Sequence, residues 1–300
     1  MYQRIVNKAK RTLRAVTAKV RAEIAPHVDV DVGSYKIAVD LRDPYVGNHI
    51  YLERQYDAHI WSWLRRLDLK GKVCLDLGAN VGAYSILFSE LVGAQGKVIA
   101  FEPEPKNFRL LCRSRDLNRA ENLVCVEKAV AAENGACTLS VNPFNWSDHW
   151  VLGVTPAPSW ATVLQVEQVS VDAFLEPSDD ARIGVVKIDV QGNEFSVLQG
   201  MRRTIKNNPH LVLVIEVSPT HLRNTGSSAT AVMDFLKSEG FVGWDVEHNR
   251  ISPVGPSWAY ELMTENYWAD VIVSRDLDLL RTMFVPQYGP LAVLSPSPAT

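Results

Sequence analysis

Short, almost unbroken apolar runs alternate with stretches of helical periodicity along most of this chain. Val73–Leu77 is apolar and runs into glycine-rich sequence, after which Tyr84, Leu87, Phe88, Leu91 and Val92 recur at helical spacing, so the pattern predicts strand, turn and helix. Residues 97–101 (KVIAF) predict the next strand, Pro105 to about Leu117 a helix, and Leu123–Val126 a third strand. A second series follows: strand Gly184–Ile188, a helix from about Asn193 to Lys206, strand Leu211–Val217, and a helix over Ala229–Glu239 closed by Gly240. Strands this rich in Val, Ile and Leu are buried on both faces, which predicts a mostly parallel sheet between two layers of helices. Residues 243–274 are richer in Trp, Tyr and turn formers and predict antiparallel strands at the C-terminal edge. One α/β domain over residues 35–285 is expected.

Three segments fall outside this alternation. Residues 138–175, with NPFNWSDHW and GVTPAPSW, read as a long, aromatic, irregular insertion of the kind that forms a lid over a binding site. Residues 286–300 read as a Pro/Ser-rich flexible tail. Within residues 1–34, Ile5, Ala9, Leu13, Val16 and Val20 line one face of a helix and leave most basic residues on the other.

Charge sharpens the picture of that helix. The 300 residues carry a net charge of -3, yet residues 1–23 hold seven Lys/Arg against Glu23, leaving +6 there and -9 in the remainder. A basic amphipathic helix suits either an anionic membrane surface or packing on its own domain or on a second subunit, as in a homodimer. The acidic remainder argues against nucleic acid as a partner, because phosphate contacts need concentrated Lys and Arg. Composition, with 47% hydrophobic and 22% charged residues, excludes fibrous and wholly disordered classes. No apolar run is long enough to cross a bilayer and no secretory signal pattern is present, so a cytoplasmic protein is expected, peripheral to the inner membrane surface if the helix binds lipid. Cys74, Cys112, Cys125 and Cys137 form no CxxC pattern, which argues against a zinc module or a disulfide framework.

The candidate chemistry starts at Asp76-Leu-Gly78-Ala79-Asn80-Val-Gly82, where a strand hands over to a helix and backbone N–H groups face a bound anion. A dinucleotide turn needs glycine where Asn80 stands, so that backbone can touch the diphosphate; Asn80 therefore disfavours NAD. S-adenosylmethionine has no diphosphate. Its methionine carboxylate asks only for the turn's amides, and its ribose for an acid at the end of the next strand, where Glu102 stands 24 residues beyond Gly78. Asp76, Gly78, Ala79, Asn80, Gly82, Glu102, Pro103 and Ala129 are the expected cofactor contacts.

DLGANVGAYS, KVIAFEPEPKNFRLL, VSVDAFL and VVKIDVQGNEFSVLQGM, in that order and spacing, closely resemble the FkbM family of S-adenosylmethionine-dependent methyltransferases over about residues 40–220. Asp43-Pro44 and Tyr56-Asp57 are similar to a DP step and a Tyr-acid pair that precede the glycine turn in the family. Its last motif, usually K-I-D-V-E-G-A-E, is matched at Lys187, Asp189, Gly192 and Glu194, with Gln191 in place of the acid. The resemblance implies a class I methyltransferase fold, a doubly wound seven-stranded sheet. It also implies O-methylation of a hydroxyl on a sugar, glycolipid or related natural product.

Ligands of open α/β sheets bind beyond the carboxyl ends of the strands, so the acceptor should meet the methyl near Asp189 and Glu216. Glu216 interrupts an apolar strand, where an unpaired charge is costly unless it faces a polar cleft. His221, a candidate catalytic residue with Asp189 and Glu216, could be the general base and His149 is the competing candidate, while Glu194 is expected to cap backbone N–H groups. A divalent metal bridged by Asp189 and Glu216 is an alternative that is not preferred. Trp146, Trp150, Trp160, Trp244 and Trp258 are candidate faces for a sugar ring. Two other readings stay open: a catalytically weak methyltransferase-like binding domain, favoured by Gln191, and an NAD-dependent oxidoreductase, for which no Tyr/Lys or His relay is found.

Overall fold

The computed structural model describes residues 2–180, 182–245, 250–254, 269–284 and 292–293. The N-terminal part runs α1 (Tyr2–Ile24), β1 (His27–Val32), β2 (Tyr35–Asp40), α2 (Val46–Glu53) and α3 (Ala58–Leu64). The first α/β series is β3 (Val73–Leu77), α4 (Ala83–Val92), β4 (Lys97–Phe101), α5 (Pro105–Asn118) and β5 (Leu123–Val126). An insertion follows with β6 (Ala129–Val130), β7 (Gly135–Val141), β8 (Trp150–Val151), β9 (Thr162–Val169), α6 (Val171–Phe174) and α7 (Pro177–Asp180). The second series is β10 (Ile183–Ile188), α8 (Glu194–Gln199), α9 (Arg202–Asn207), β11 (Val212–Val217), α10 (Pro219–Asn224) and α11 (Ala229–Ser238). The C-terminal part holds β12 (Val242–Asp245), β13 (Arg250–Pro253), β14 (Ala269–Ser274), α12 (Leu277–Phe284) and β15 (Ala292–Val293).

The main sheet has the order β15-β13-β12-β14-β11-β10-β3-β4-β5. Its segment from β12 to β5 is the expected seven-stranded, doubly wound sheet of the class I methyltransferase fold: β11, β10, β3, β4 and β5 are mutually parallel and β14 is antiparallel to β11. The C-terminal strands make the antiparallel edge that the pattern predicted, β14 pairing antiparallel with β11 and β12 and β13 antiparallel with β12, and β15 extends the sheet beyond β13.

Strand alternation divides the interior into two cores. Cys74, Val98, Ala100, Val185, Val212 and Val214 face α4, α5 and the N-terminal helices, whereas Leu75, Leu77, Ile99, Val186, Ile188, Leu213 and Ile215 face α8, α9 and α11. Helix α5 starts where Pro105 pre-sets the backbone and the Glu104 carboxylate accepts from Lys106 N (2.7 Å) and Asn107 N (2.8 Å). The helix expected over residues 193–206 breaks into α8 and α9, because Gly200 lies against Ala131 so closely that a Cβ there would be 2.2 Å from its carbonyl oxygen.

The insertion is more ordered than its composition suggests. β7 and β9 form an antiparallel ribbon, joined by β6 and β8 into a four-stranded sheet, so the irregular part of residues 138–175 narrows to the 142–161 loop around β8. Strand order reverses between β3 and β10, and their carboxyl ends open the crevice where ligands of such sheets bind.

Candidate active site

At that crevice β3 and β10 touch. Asp189 N donates to Leu77 O at 2.9 Å, and a Cβ on Gly78, whose φ is +85°, would lie 1.9 Å from Asp189 O. Only glycine fits at position 78. The cleft above it is lined by Asp76, Gly78, Ala79, Asn80, Glu102, Pro103 and Ala129 on one side and by Lys187, Asp189, Gln191 and Glu216 on the other, with Tyr56 and Tyr84 between. Gly82 and His221 are absent from the wall. Gly82 opens α4 with φ +90° and packs against Leu111.

One expected contact changes. The amides of Gly78 and Ala79 donate to Phe101 O, Asn80 N donates to Glu102 Oε2 at 2.9 Å, Val81 N to Asn80 Oδ1 at 2.8 Å, and Gly82 N to Ala79 O. The turn's own N–H groups are thus engaged within the fold, and the positive end of a helix reaches the cleft at Ala83 and Tyr84, the first residues of α4. Asn80 holds φ +50°, a left-handed conformation that asparagine tolerates.

Glu102 is buried at the tip of β4. Burial pushes its carboxyl up to about 8, against the pull of the Glu104 and Asn80 N–H groups. Each of its oxygens accepts one backbone bond, from Glu104 N at 2.8 Å and Asn80 N at 2.9 Å, which leaves further lone pairs for a ligand's hydroxyls. Asp76, also buried, is pushed up to about 6 and accepts from the Ser85 hydroxyl; it supports the turn from below.

The other side is an acid pair around a buried lysine. Gln191 Nε2 donates to Asp189 Oδ1 at 2.8 Å and to Glu216 Oε2 at 2.7 Å, and Gln191 takes φ +51° to do so. Lys187 Nζ, 3% exposed, is 3.2 Å from Asp189 and 3.2 Å from Asp270 and lies 5.4 Å from the centre of the Tyr84 ring. Burial raises the Asp189 carboxyl, but the Lys187 ammonium and hydrogen bonds from Glu216 and Gln191 outweigh it and hold Asp189 ionised. Burial and the Asp189 charge push Glu216 well up, so it carries the proton of the pair. Lys187 stays charged because the surrounding carboxylates overcome its desolvation.

Pattern reading missed Lys187, although the signal was there: a lone cation inside a Val/Ile strand needs buried partners, the reasoning that had singled out Glu216. Tyr56 meets Tyr84 edge-on at 6.1 Å, and Tyr84 donates to Asp57 at 2.9 Å, which gives the Tyr-acid pair its place beside the acids of the cleft.

Glu194 is buried and braces the 190–192 turn, accepting from Gly192 N at 2.9 Å and Val190 N at 3.3 Å, with its carboxyl pushed up to about 7 by burial. The His221 ring is turned to the insertion loop, Nε2 being 3.1 Å from Asp148, and its backbone packs behind Gly192. That contact ties His221 to the loop, and its side chain does not line the cleft. His149 does line the cleft, but burial pushes its imidazole down to about 4 and Nδ1 accepts from Asn142 N at 3.0 Å.

Of the loop's tryptophans, Trp146 alone lines the cleft. Its carbonyl accepts from Asn107 Nδ2 at 2.9 Å and Asn80 Nδ2 at 3.2 Å, its N–H meets the buried Asp43 of the DP step, and its ring lies between Lys106 (5.1 Å) and Arg42 (5.8 Å). Trp150 and Trp160 pack edge-on against each other at 6.2 Å instead. Trp244 falls in β12, where its side chain is not described, and Trp258 lies outside the described residues. Beyond Trp146 a second groove is lined by Arg42, Lys106, Arg109 and Arg113 together with His27, Asp40 and Asp116, and within it Arg42 is paired with Asp40 and Arg113 with Asp29.

The donor set does not suit a divalent ion bridged by Asp189 and Glu216, since the Gln191 amide joins the two acids and the Lys187 ammonium already balances Asp189. Among the described residues no group of three or more His, Cys, Asp and Glu converges as metal ligands would.

The profile of the methyltransferase FkbM domain matches residues 76–242. The chain belongs to the FkbM methyltransferase family. Its relatives include a hexuronic acid methyltransferase, AglP, of Haloferax volcanii, 26% identical over 176 residues that cover 57% of this chain and 69% of the relative. Methyltransferase 1 of Beauveria bassiana is 22% identical over 238 residues, 74% of this chain and 87% of that one. A crystal structure of an FkbM methyltransferase from Methylobacillus flagellatus aligns with a TM-score of 0.43 at 15% identity, covering 75% of this chain and 52% of that chain. This FkbM methyltransferase thus has in one cleft the glycine turn, the strand-end acid and the second pair of acids that its sequence motifs encode. Among its described residues no helix is long and apolar enough to cross a membrane.

Proposed function

We propose that this chain transfers a methyl group from S-adenosylmethionine to a hydroxyl of a sugar, glycolipid or related natural product. The observation that carries the reading is one cleft in which Glu102 faces the Asp189–Glu216 pair across Gly78. The cleft suits the cofactor. Glu102 has lone pairs left for two ribose hydroxyls, no phosphate cradle survives at Asn80, and the start of α4 offers its positive end to the methionine carboxylate. When bound, S-adenosylmethionine supplies an electrophilic methyl on a sulfonium.

The chain's own residues do the rest. Asp189, ionised beside Lys187, takes the proton of the acceptor hydroxyl as its oxygen bonds to the methyl carbon and the carbon–sulfur bond breaks. Glu216, carrying its own proton, donates to Asp189 and shares the Gln191 amide with it, which fixes the direction in which the base points. The Trp146 loop, tied by Asn80, Asn107 and the Asp148–His221 contact, excludes water and closes the acceptor against the cofactor. Positioning accounts for roughly 7 to 11 kcal/mol of barrier in such transfers and a general base for roughly 10²- to 10⁴-fold in rate, so orientation is the larger contribution.

The ionised Asp189 favours a hydroxyl over a carboxylate as the methylated group, because a general base acts on an acceptor that has a proton to give and a carboxylate has none. The basic groove next to Trp146 favours an acceptor that bears its anionic group elsewhere, as a hexuronic acid does, and one relative is named for that substrate class. The test is incubation with S-adenosylmethionine and a panel of neutral and uronic-acid oligosaccharides, read by mass spectrometry. A single methyl increment retained after mild alkali indicates an ether and supports the reading. Loss of the increment under alkali indicates an ester and refutes hydroxyl transfer, and binding of S-adenosylhomocysteine without turnover on any acceptor favours the binding-domain alternative.

A further inference from the structure

Helix α1 is attached to the domain by the face that helical patterning assigns to solvent. Arg11 pairs with Glu53 at 2.6 Å, Arg14 Nη1 donates to Leu52 O at 2.8 Å, the Thr17 hydroxyl meets Tyr51 OH at 3.2 Å, and Ala18 is buried, 5% exposed. These four residues and Ala22 hold α1 against α2 and the N-terminal core. The large apolar side chains point away. Leu13, Val16, Val20 and Ile24, spaced by three and four residues, form one stripe and are 65%, 59%, 57% and 77% exposed. A domain that has already docked a helix through small and polar residues has no core left to cover such a stripe, and contiguous exposed apolar surface of this kind marks a docking surface.

Charge selects the occupant. Lys19 and Arg21, both exposed, flank the stripe on opposite sides, and Glu23 is the helix's sole acid against seven basic residues in positions 1–23. A second copy would bring the same +6 against this face, whereas an anionic bilayer surface brings the opposite charge. We infer that α1 lies in the plane of an anionic membrane surface, with Leu13, Val16, Val20 and Ile24 inserted among the acyl chains and Lys19 and Arg21 at the headgroups. The helix rests on the membrane rather than spanning it, since no described helix is long and apolar enough to cross one. Insertion of one Val or Leu side chain is worth about tenfold in partitioning, and one surface Lys or Arg about fivefold.

The experiment is co-sedimentation of the full chain with phosphatidylcholine vesicles, either pure or containing about one third phosphatidylglycerol. The account expects binding to the mixed vesicles, at least about tenfold weaker binding to the neutral ones, and a loss of about a hundredfold in the Leu13→Glu/Val20→Glu variant. Lys19→Glu/Arg21→Glu should lose at least about tenfold without touching the stripe. Both variants should melt at the wild-type temperature, because all four positions face solvent. Absence of binding to mixed vesicles overturns the inference, as does equal binding of the wild type and the stripe variant. A wild-type dimer in sedimentation velocity that Leu13→Glu/Val20→Glu dissociates, with no vesicle binding, would assign the stripe to a second copy and equally overturn it.

Discussion

Asp189→Asn isolates the proposed base with the least disturbance to shape. Asparagine keeps the backbone bond to Leu77 and the volume at the end of β10, but it has no charge to take a proton. In the wild type the Asp189 carboxylate is 3.2 Å from Lys187 Nζ and accepts from Gln191 at 2.8 Å. Without it Lys187 keeps Asp270 at 3.2 Å, so the ammonium is not orphaned, and the stability cost should be about 1 to 3 kcal/mol rather than the larger penalty of an unpaired buried charge. Loss of a general base costs about 10²- to 10⁴-fold in kcat, equivalent to about 3 to 5.5 kcal/mol in the barrier. Single-turnover methyl transfer reads that loss, and calorimetric titration with S-adenosylhomocysteine checks that cofactor affinity stays within about threefold. Since the Lys187 ammonium and the hydrogen bonds from Glu216 and Gln191 outweigh burial and hold the Asp189 carboxyl below its ordinary value, wild-type kcat should show no loss from protonation of the base across the range in which ordinary carboxylates titrate. A variant that keeps kcat within about threefold of wild type, or that loses activity only in proportion to lost cofactor affinity, would refute Asp189 as the base.

Four further outcomes follow from the same geometry. Glu102→Ala should weaken S-adenosylhomocysteine binding at least tenfold, about 1.4 kcal/mol, by calorimetry, and unchanged affinity in a folded variant would remove the ribose contact. Because burial raises Glu102 to about 8 and a ligand's hydroxyls favour its ionised form, affinity should rise with pH up to about tenfold per unit and level off above 8; a flat profile from about pH 6 to 8 would contradict this. Burial lowers the His221 imidazole but Asp148 raises it further, so the charged pair is present below that raised value and lost as pH climbs through it; His221→Ala should therefore cost more stability in urea at about pH 6 than at about pH 9, and should raise the acceptor KM more than it lowers kcat. Gly78→Ala, whose Cβ would lie 1.9 Å from Asp189 O at φ +85°, should destabilise the fold by at least about 3 kcal/mol in urea denaturation.

Local chemistry was legible wherever the chain itself supplies it. The Val/Ile/Leu strands, the glycine turn and the strand-end acids Glu102, Asp189 and Glu216 follow from periodicity and from the cost of charge in apolar runs, and the structure places them around one crevice. What escaped depends on contacts distant in sequence. Asp148 reaches His221 across 73 positions, and Trp146 is held by Asp43, Asn80 and Asn107; no local pattern encodes those meetings. The 138–175 segment hid its ribbon because β9, T-V-L-Q-V-E-Q-V, is covered on one face only, and its Trp-rich loop dominates the composition. Helix α1 shows the converse. Its period was plain, but period alone does not say which face the domain takes, and Arg11, Arg14, Thr17 and Ala18 took it.

The most direct measurement is a crystal structure with S-adenosylhomocysteine bound. The account predicts the ribose hydroxyls on the Glu102 carboxylate, the methionine carboxylate at the Ala83–Tyr84 end of α4, and the sulfur turned toward Asp189 and Glu216. A cleft that takes up no such ligand, or one that instead holds a diphosphate-bearing nucleotide over Asn80, would contradict it.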